Sequence, residues 1–220
     1  VYNNSAQQDA STEAVRETAS EVLKYKGNIV TTYYYSTSCG KTTTMKAWGT
    51  SENESNGYLQ SVEVKDKNGD YEKSLPWYRW EADIDQDILS TLLAENVKKN
   101  IGTVQSLEVT KTGPGGVALQ IKAVGDKGSI TVDTENKIRK ALGGNGYEIK
   151  KQDGTVAQSG TLLPSAFFKV KKAGNIFKII GGGYGHGIGM SQNGANEMAK
   201  KGKNYQEILQ MFYPGTTIEK

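Results

Sequence analysis

The chain's only histidine, His186, lies in GGGYGHGIGMSQNGA, residues 181–195, between Gly185 and Gly187. An imidazole can act as base, ligand or hydrogen-bonding brace. The surrounding glycines, at 181–183, 185, 187 and 189, let the backbone take positive φ and approach a partner closely, at a cost in folding entropy. Backbone N–H groups over 187–195 are then candidates to meet an acceptor, as at a helix N-terminus. The loop ends Gly189-Met190-Ser191-Gln192 and lacks the Gly-Lys-Ser/Thr of a phosphate loop, which argues against a nucleotide. The residue types leave two readings of His186 open, a histidine satisfied by neighbouring backbone and a functional one.

A second candidate is STSCGKT, residues 36–42, where Cys39, the only cysteine, follows Ser36, Thr37 and Ser38. With His186 as its base, Cys39 would make a thiol hydrolase. The same small residues suit a tight polar loop holding a structural cysteine. One histidine and one cysteine supply at most two strong metal ligands, so neither a metal nor a cofactor is expected. In PWYRW, Trp77 and Trp80, with Tyr78 and the nearby Trp48, are candidate platforms for sugar faces, set against plain core packing.

The elements that must position these residues read as α+β, a mostly antiparallel sheet with several short helices and a glycine-rich active-site loop. Val15, Thr18, Ala19, Val22 and Leu23 share one helical face, with Asp9 and Ser11 as candidate caps and Tyr25-Lys26-Gly27 as the stop. NIVTTYYYSTSCGKTT reads as a strand entering the polar loop, and YLQSVEVKD as a strand before the turn Lys67-Asn68-Gly69-Asp70. A helix follows PWYRW with Ile88, Leu89, Leu92 and Leu93 inward. Then come three antiparallel strands, VQSLEVTKT, GGVALQIKAVG and GSITVDT, and a helix, TENKIRKALG, capped by Gly143. Residues 143–160 read as a hairpin turning at Asp153-Gly154; this segment and 51–100 are expected to be subdomains or insertions. FFKVKKAGNIFKIIGGG reads as a strand leading into the histidine loop. Two helices close the chain, one with Ala195, Met198 and Ala199 on a face and Gly202 as its stop, the other with Ile208, Leu209 and Phe212 inward and Pro214 at its end.

Composition excludes several classes. Lys and Arg total 27 against 24 Asp and Glu, and a net charge of +3 so evenly spread gives no ground for a nucleic-acid partner. A single thiol excludes a disulfide framework. No stretch of the sequence has the roughly 18 consecutive apolar residues of a membrane span.

The string GGGYGHGIGMSQNGANEMAKKGKNYQEILQMFYPGTTI is similar to the C-terminal signature of the stage II sporulation protein D family, also called the SpoIID/LytB domain. YYYSTSCGKT resembles that family's strand end, SLEVTKTGPGG and KIRKALG its middle, and LLPSAFFKV its Leu-Pro-Ser segment, so the likeness covers nearly all of residues 1–220.

The resemblance implies a peptidoglycan lytic transglycosylase that cuts denuded glycan strands between N-acetylmuramic acid and N-acetylglucosamine, leaving a 1,6-anhydro end, during forespore engulfment. Its partners would be glycan strands and a cell-wall amidase or endopeptidase. Its place would be extracytoplasmic, at the cell wall or forespore septum, with any membrane anchor upstream. A non-catalytic, glycan-binding amidase enhancer is the alternative within the family. The family's catalytic glutamate belongs to a Glu-Met-Pro motif that residues 1–220 do not contain, and Val1-Tyr2 resembles the Val-Tyr that follows that region. No catalytic residue is therefore assigned here, and the domain is expected to be without its N-terminal catalytic segment. Ser36, Thr37, Ser38 and Gln192 would hydrogen-bond sugar or the incoming acid. His186 would bond the glycan or that acid, and Tyr184 would pack on sugar. Cys39 replaces a glycine common in the family.

Overall fold

A computed structural model describes residues 8–220, so Val1 and Tyr2 lie outside the described residues. Helix α1 (Asp9–Glu17) is shorter than its periodicity predicts and buries no side chain. Gln8 is its N-cap, which places Asp9 and Ser11 inside the first turn rather than at the cap. Ser20, at φ 67°, breaks the helical path, and Val22 and Leu23 leave it for strand β1 (Val22–Tyr25). Tyr25-Lys26-Gly27 is a hairpin turn, not a helix stop. Lys26 and Gly27 both take positive φ, the geometry of a tight two-residue connection into β2 (Asn28–Ile29).

The long strand expected after residue 28 is broken into β2, the two-residue β3 (Tyr34–Tyr35) and a string of single bridges, Thr37 with Tyr184, Lys41 with Glu63, and Thr43 with Ile188. A 3-10 turn over Met45–Trp48 follows. YLQSVEVKD contributes only the start of a small hairpin, β4 (Lys65–Asp66) and β5 (Gly69–Asp70), turning at Lys67–Asn68. A second 3-10 turn, Pro76–Tyr78, delivers the chain to β6 (Trp80–Asp85).

Helix α2 (Gln86–Val97) starts at Asp85, whose carboxylate caps the Asp87 amide, and buries Leu89, Leu92 and Leu93 as the spacing predicts. Strands β7 (Val104–Thr112), β8 (Ala118–Gly125) and β9 (Gly128–Asp133) form the antiparallel sheet read from the sequence. Helix α3 (Glu135–Leu142) ends at Gly143, where the backbone is extended and a side chain would collide with the Thr161 carbonyl at 2.4 Å. That glycine permits close packing rather than a left-handed cap.

Strands β10 (Glu148–Lys151) and β11 (Val156–Gln158) are the hairpin around Asp153-Gly154. The stretch read as one strand before the histidine loop is two, β12 (Phe168–Ala173) and β13 (Ile176–Gly181), turning at Gly174-Asn175. These strands and β6 make a five-stranded sheet in the order β11-β10-β6-β13-β12. Its inner face carries Ile149, Ala82 and Ile179 in one row, with Ile84 beside Phe177 in the next, all 2% exposed or less. Burying each large apolar side chain in such rows contributes roughly 1.5–3 kcal/mol.

Beyond the histidine loop, β14 (Met190–Ser191) pairs in parallel with β3. Helix α4 (Gln192–Lys200) is capped by Ser191 and buries Met198, while Ala199 faces solvent. Helix α5 (Tyr205–Phe212) opens on a capping box between Asn204 and Glu207 and buries Ile208 and Phe212. Strand β15 (Thr217–Glu219) returns to pair with β1. The architecture is α+β with antiparallel sheets, and β13 ends directly at the loop that holds His186.

Candidate active site

The loop runs from Gly181 to Gly189 as a thread drawn between two walls. On one side, the Gly183 amide donates to the Trp77 carbonyl at 2.8 Å, and the Trp80 indole N–H donates to the Gly183 carbonyl at 3.0 Å. On the other, Tyr184 and Thr37 exchange both backbone bonds, at 2.8 and 3.0 Å. The Leu-Pro-Ser segment closes the arrangement. The Ser165 hydroxyl donates to the Gly182 carbonyl at 2.7 Å, and the Gly185 amide donates to the Pro164 carbonyl at 2.8 Å.

The two glycines that flank His186 are needed for space and for conformation. Gly185 (φ 119°) lies where a Cβ would come 2.7 Å from the Cβ of Tyr35, and Gly187 (φ 81°) where one would come 2.5 Å from the Phe167 ring. An alanine at either position would be strained in its backbone and in contact with side chains that cannot withdraw.

His186 uses both ring nitrogens on backbone. Nδ1 accepts from the Ile188 amide at 3.1 Å, which puts the proton on Nε2, and Nε2 donates to the Tyr34 carbonyl at 3.0 Å. The ring lies against Trp48 and Tyr35, with centroids 5.0 and 5.6 Å away. Burial lowers its pKa, so the neutral imidazole is the favoured form. In this geometry His186 fixes the loop's path against Tyr34.

Cys39 is half-buried, and burial pushes its thiol up despite the nearby Arg79 guanidinium. With both imidazole nitrogens committed elsewhere, Cys39 and His186 do not form the couple a thiol hydrolase requires. Among the described residues no group of three or more His, Cys, Asp or Glu side chains is placed to hold a metal ion.

The hydroxyls of the second loop separate. Ser36 is half-exposed, its Oγ 3.1 Å from that of Thr37. Thr37 and Ser38 are buried. The Thr37 hydroxyl accepts from the Asn193 amide group at 2.9 Å, and the Ser38 hydroxyl donates to Glu72. Gln192 is exposed on the first turn of α4. Tyr184 is 43% exposed and its ring meets that of Trp77 at 4.8 Å, so an aromatic pair reaches the surface beside the loop. Trp80, read as a companion platform, is instead 2% exposed and serves as a core brace through its bond to Gly183.

Four of the amides expected to await a ligand are already used. Ile188 N–H goes to His186, Met190 N–H to the Tyr33 carbonyl at 3.0 Å, Asn193 N–H to the Ser36 carbonyl at 3.0 Å, and Gly194 N–H to the Ser191 hydroxyl at 3.2 Å.

Sequence reasoning missed Glu72. It is fully buried, and its Oε1 accepts the Ser38 amide at 2.9 Å and the Ser191 hydroxyl at 2.7 Å, while Oε2 takes the Ser38 hydroxyl. Burial raises its pKa, opposed by those donors. A lone glutamate in NGDYEKS carries no signal that separates it from a solvated one.

Fold and site together define an α+β domain in which a glycine loop, braced by a neutral histidine and tied to a buried carboxyl node, presents an aromatic pair and polar side chains at the surface. Residues 37–189 match the model of a family described as a domain of unknown function (DUF8618), and the chain belongs to that family and to the stage II sporulation protein D family. It is 30% identical over 207 residues to a stage II sporulation protein D of Bacillus subtilis (strain 168), covering 94% of this chain and 50% of that protein. It is 27% identical over 243 residues to a B. subtilis protein named amidase enhancer, covering 99% of this chain and 34% of that one. A stage II sporulation protein D of Bacillus amyloliquefaciens is 28% identical over 207 residues, with 94% and 50% covered. The chain thus spans about a third to a half of the length of these relatives.

Proposed function

We propose that this domain engages peptidoglycan glycan strands as part of a sporulation lytic transglycosylase acting outside the cytoplasm, at the cell wall or forespore septum. The observation that carries the reading is the surface pair of Trp77, on the Pro76–Tyr78 turn, and Tyr184, on the glycine loop, with the half-exposed Ser36 next to Thr37, which pairs with Tyr184, and the exposed Gln192 next to Asn193, which bonds Ser36. Aromatic faces take the apolar side of a pyranose, and neighbouring hydroxyl and amide groups fix its orientation.

In such a reaction a carboxylic acid protonates the glycosidic oxygen, the anomeric carbon gains oxocarbenium character, and the muramyl 6-hydroxyl attacks within the same sugar to give the 1,6-anhydro end. The nucleophile is part of the substrate, so holding the sugar in the reactive pose replaces a second carboxylate. Glu72 is fully buried, with both oxygens engaged, and is not placed to protonate a bound glycan. The reading therefore takes its proton donor from a Glu-Met-Pro segment, and the present residues shape the cleft.

The test is digestion of denuded glycan strands by the 220-residue chain, alone and joined to a Glu-Met-Pro segment from a relative, with products read by mass. The expected result is anhydro-ended fragments, one water lighter than hydrolytic products, from the joined form. Binding by both forms with no cleavage would favour the second reading, a glycan-bound modifier of an amidase, which the relative named amidase enhancer supports.

A further inference from the structure

A hollow of about 510 Å³ opens where the five-stranded sheet meets the Cys39–Lys41 loop. Its floor follows from register. Trp80 and Phe168 both pair with Gly181, so the next position along the strand, Gly182, lies between Arg79 and Phe167 and contributes no side chain. Arg79, Ile180, Lys169, Lys41 and Lys65 stand around the gap.

The rim is cationic. Four basic side chains, Lys41, Lys65, Arg79 and Lys169, face two carboxylates, Glu63 and Asp70. Glu63 is shared by Lys41 at 3.4 Å and Lys65 at 2.5 Å, and Asp70 accepts the Tyr78 hydroxyl. Among the described residues Arg79 and Lys169 have no ion-pair partner within 4.0 Å. Arg79 is nevertheless held in place. Its guanidinium donates to the Cys39 carbonyl at 3.0 Å and to the Tyr78 carbonyl at 2.7 Å, and stacks over the Tyr78 ring at 3.9 Å. A fixed guanidinium beside an unpaired lysine is a receptor for a carboxylate.

The hollow and the aromatic pair lie on one thread, since Gly182 is two residues from Tyr184 and so at most about 7 Å from it. A polymer lying over Trp77 and Tyr184 therefore brings a neighbouring substituent to the cations. We infer that this hollow is a carboxylate subsite for the lactyl ether group of muramic acid, which is anionic only where the stem peptide has been removed. The inference rests on the glycan reading above and adds the chemical feature that selects denuded strands. A peptide-bearing strand would present a neutral amide with a bulky chain at the same place.

The test is titration of the 220-residue chain with denuded glycan strands, and with the same strands after conversion of their carboxylates to methylamides. The unmodified strands should bind about tenfold more tightly, with an advantage that shrinks as salt is raised. Lys169→Gln and Lys65→Gln should each weaken binding of the carboxylate form by about threefold and leave the methylamide form unchanged. Equal affinity for both forms, or variants that weaken both alike, would overturn the subsite while leaving the glycan reading intact. Failure to bind either form would remove the glycan reading and the subsite with it.

Discussion

The Ser191 hydroxyl donates to Glu72 Oε1 at 2.7 Å across 119 residues of sequence, inside the protein. Ser191 is also the cap of α4, and the same carboxyl group holds Ser38 through its amide and its hydroxyl. One buried acid thus joins the serine loop to the helix that follows the histidine loop.

Glu72→Ala should lower stability by roughly 2–4 kcal/mol, because it removes the acceptor of the Ser38 hydroxyl and leaves the Ser38 amide and the Ser191 hydroxyl only their longer bonds, to Ser191 Oγ at 3.2 Å and the Ser36 carbonyl at 3.3 Å. Glu72→Gln, which keeps one acceptor oxygen, should cost less. Urea unfolding measures both. The pKa of Glu72 is raised in the fold, so its contribution is most favourable below about 4.5 and declines as pH rises through the folded value. The stability gap between wild type and Glu72→Gln should therefore narrow with rising pH above about 4.5. A pH-independent gap would exclude the shift.

His186 works in the opposite direction. Its folded pKa is depressed, so its stabilisation is complete above about 6.5 and is lost as pH falls through the folded value. His186→Ala should remove this acid sensitivity and, at pH 8, cost about 2 kcal/mol by orphaning the Ile188 amide and the Tyr34 carbonyl. Thermal melts of both proteins between pH 5 and 8 provide the comparison. Parallel curves would show that the imidazole does not titrate with folding.

The tryptophans should separate by phenotype. Trp77→Ala and Tyr184→Ala remove surface rings and should weaken glycan binding several-fold while shifting the melting temperature little. Trp80→Phe removes the donor to the Gly183 carbonyl and should cost about 1–3 kcal/mol of stability. Retained affinity in Trp77→Ala and Tyr184→Ala together would move the sugar contact elsewhere.

Cys39 should behave as a raised-pKa thiol. Iodoacetamide at pH 7 should modify it more slowly than a free cysteine, because little thiolate is present. Cys39→Ser should leave any glycan cleavage intact. Loss of cleavage in that variant would restore the thiol to the chemistry.

What the sequence made legible was local. Helix α5 is written in the spacing of Ile208 and Phe212, and α2 in the spacing of Leu89, Leu92 and Leu93. The early helix was overextended because Val22 and Leu23 continue a helical period, while their actual partners, Glu219 and Ile218, lie at the far end of the chain. The glycine loop announced itself as special through composition. Its purpose in the fold, threading between Thr37 and Trp77 with His186 satisfied by Tyr34, depends on contacts across roughly 100 to 150 residues that no local pattern records. Glu72 was invisible for the same reason, since its burial is supplied by Ser38 and Ser191.

The pairing of β1 with β15 also has a mechanical meaning. Val22 faces Glu219 and Lys24 faces Thr217, so the start of β1 and the end of β15 lie at the same side of this antiparallel ladder. A pull applied through residues before Val22 and after Glu219 loads the rungs in sequence, the Val22–Glu219 pair first, rather than sharing the force among them. Such a seam would unzip at low tension, one pair at a time.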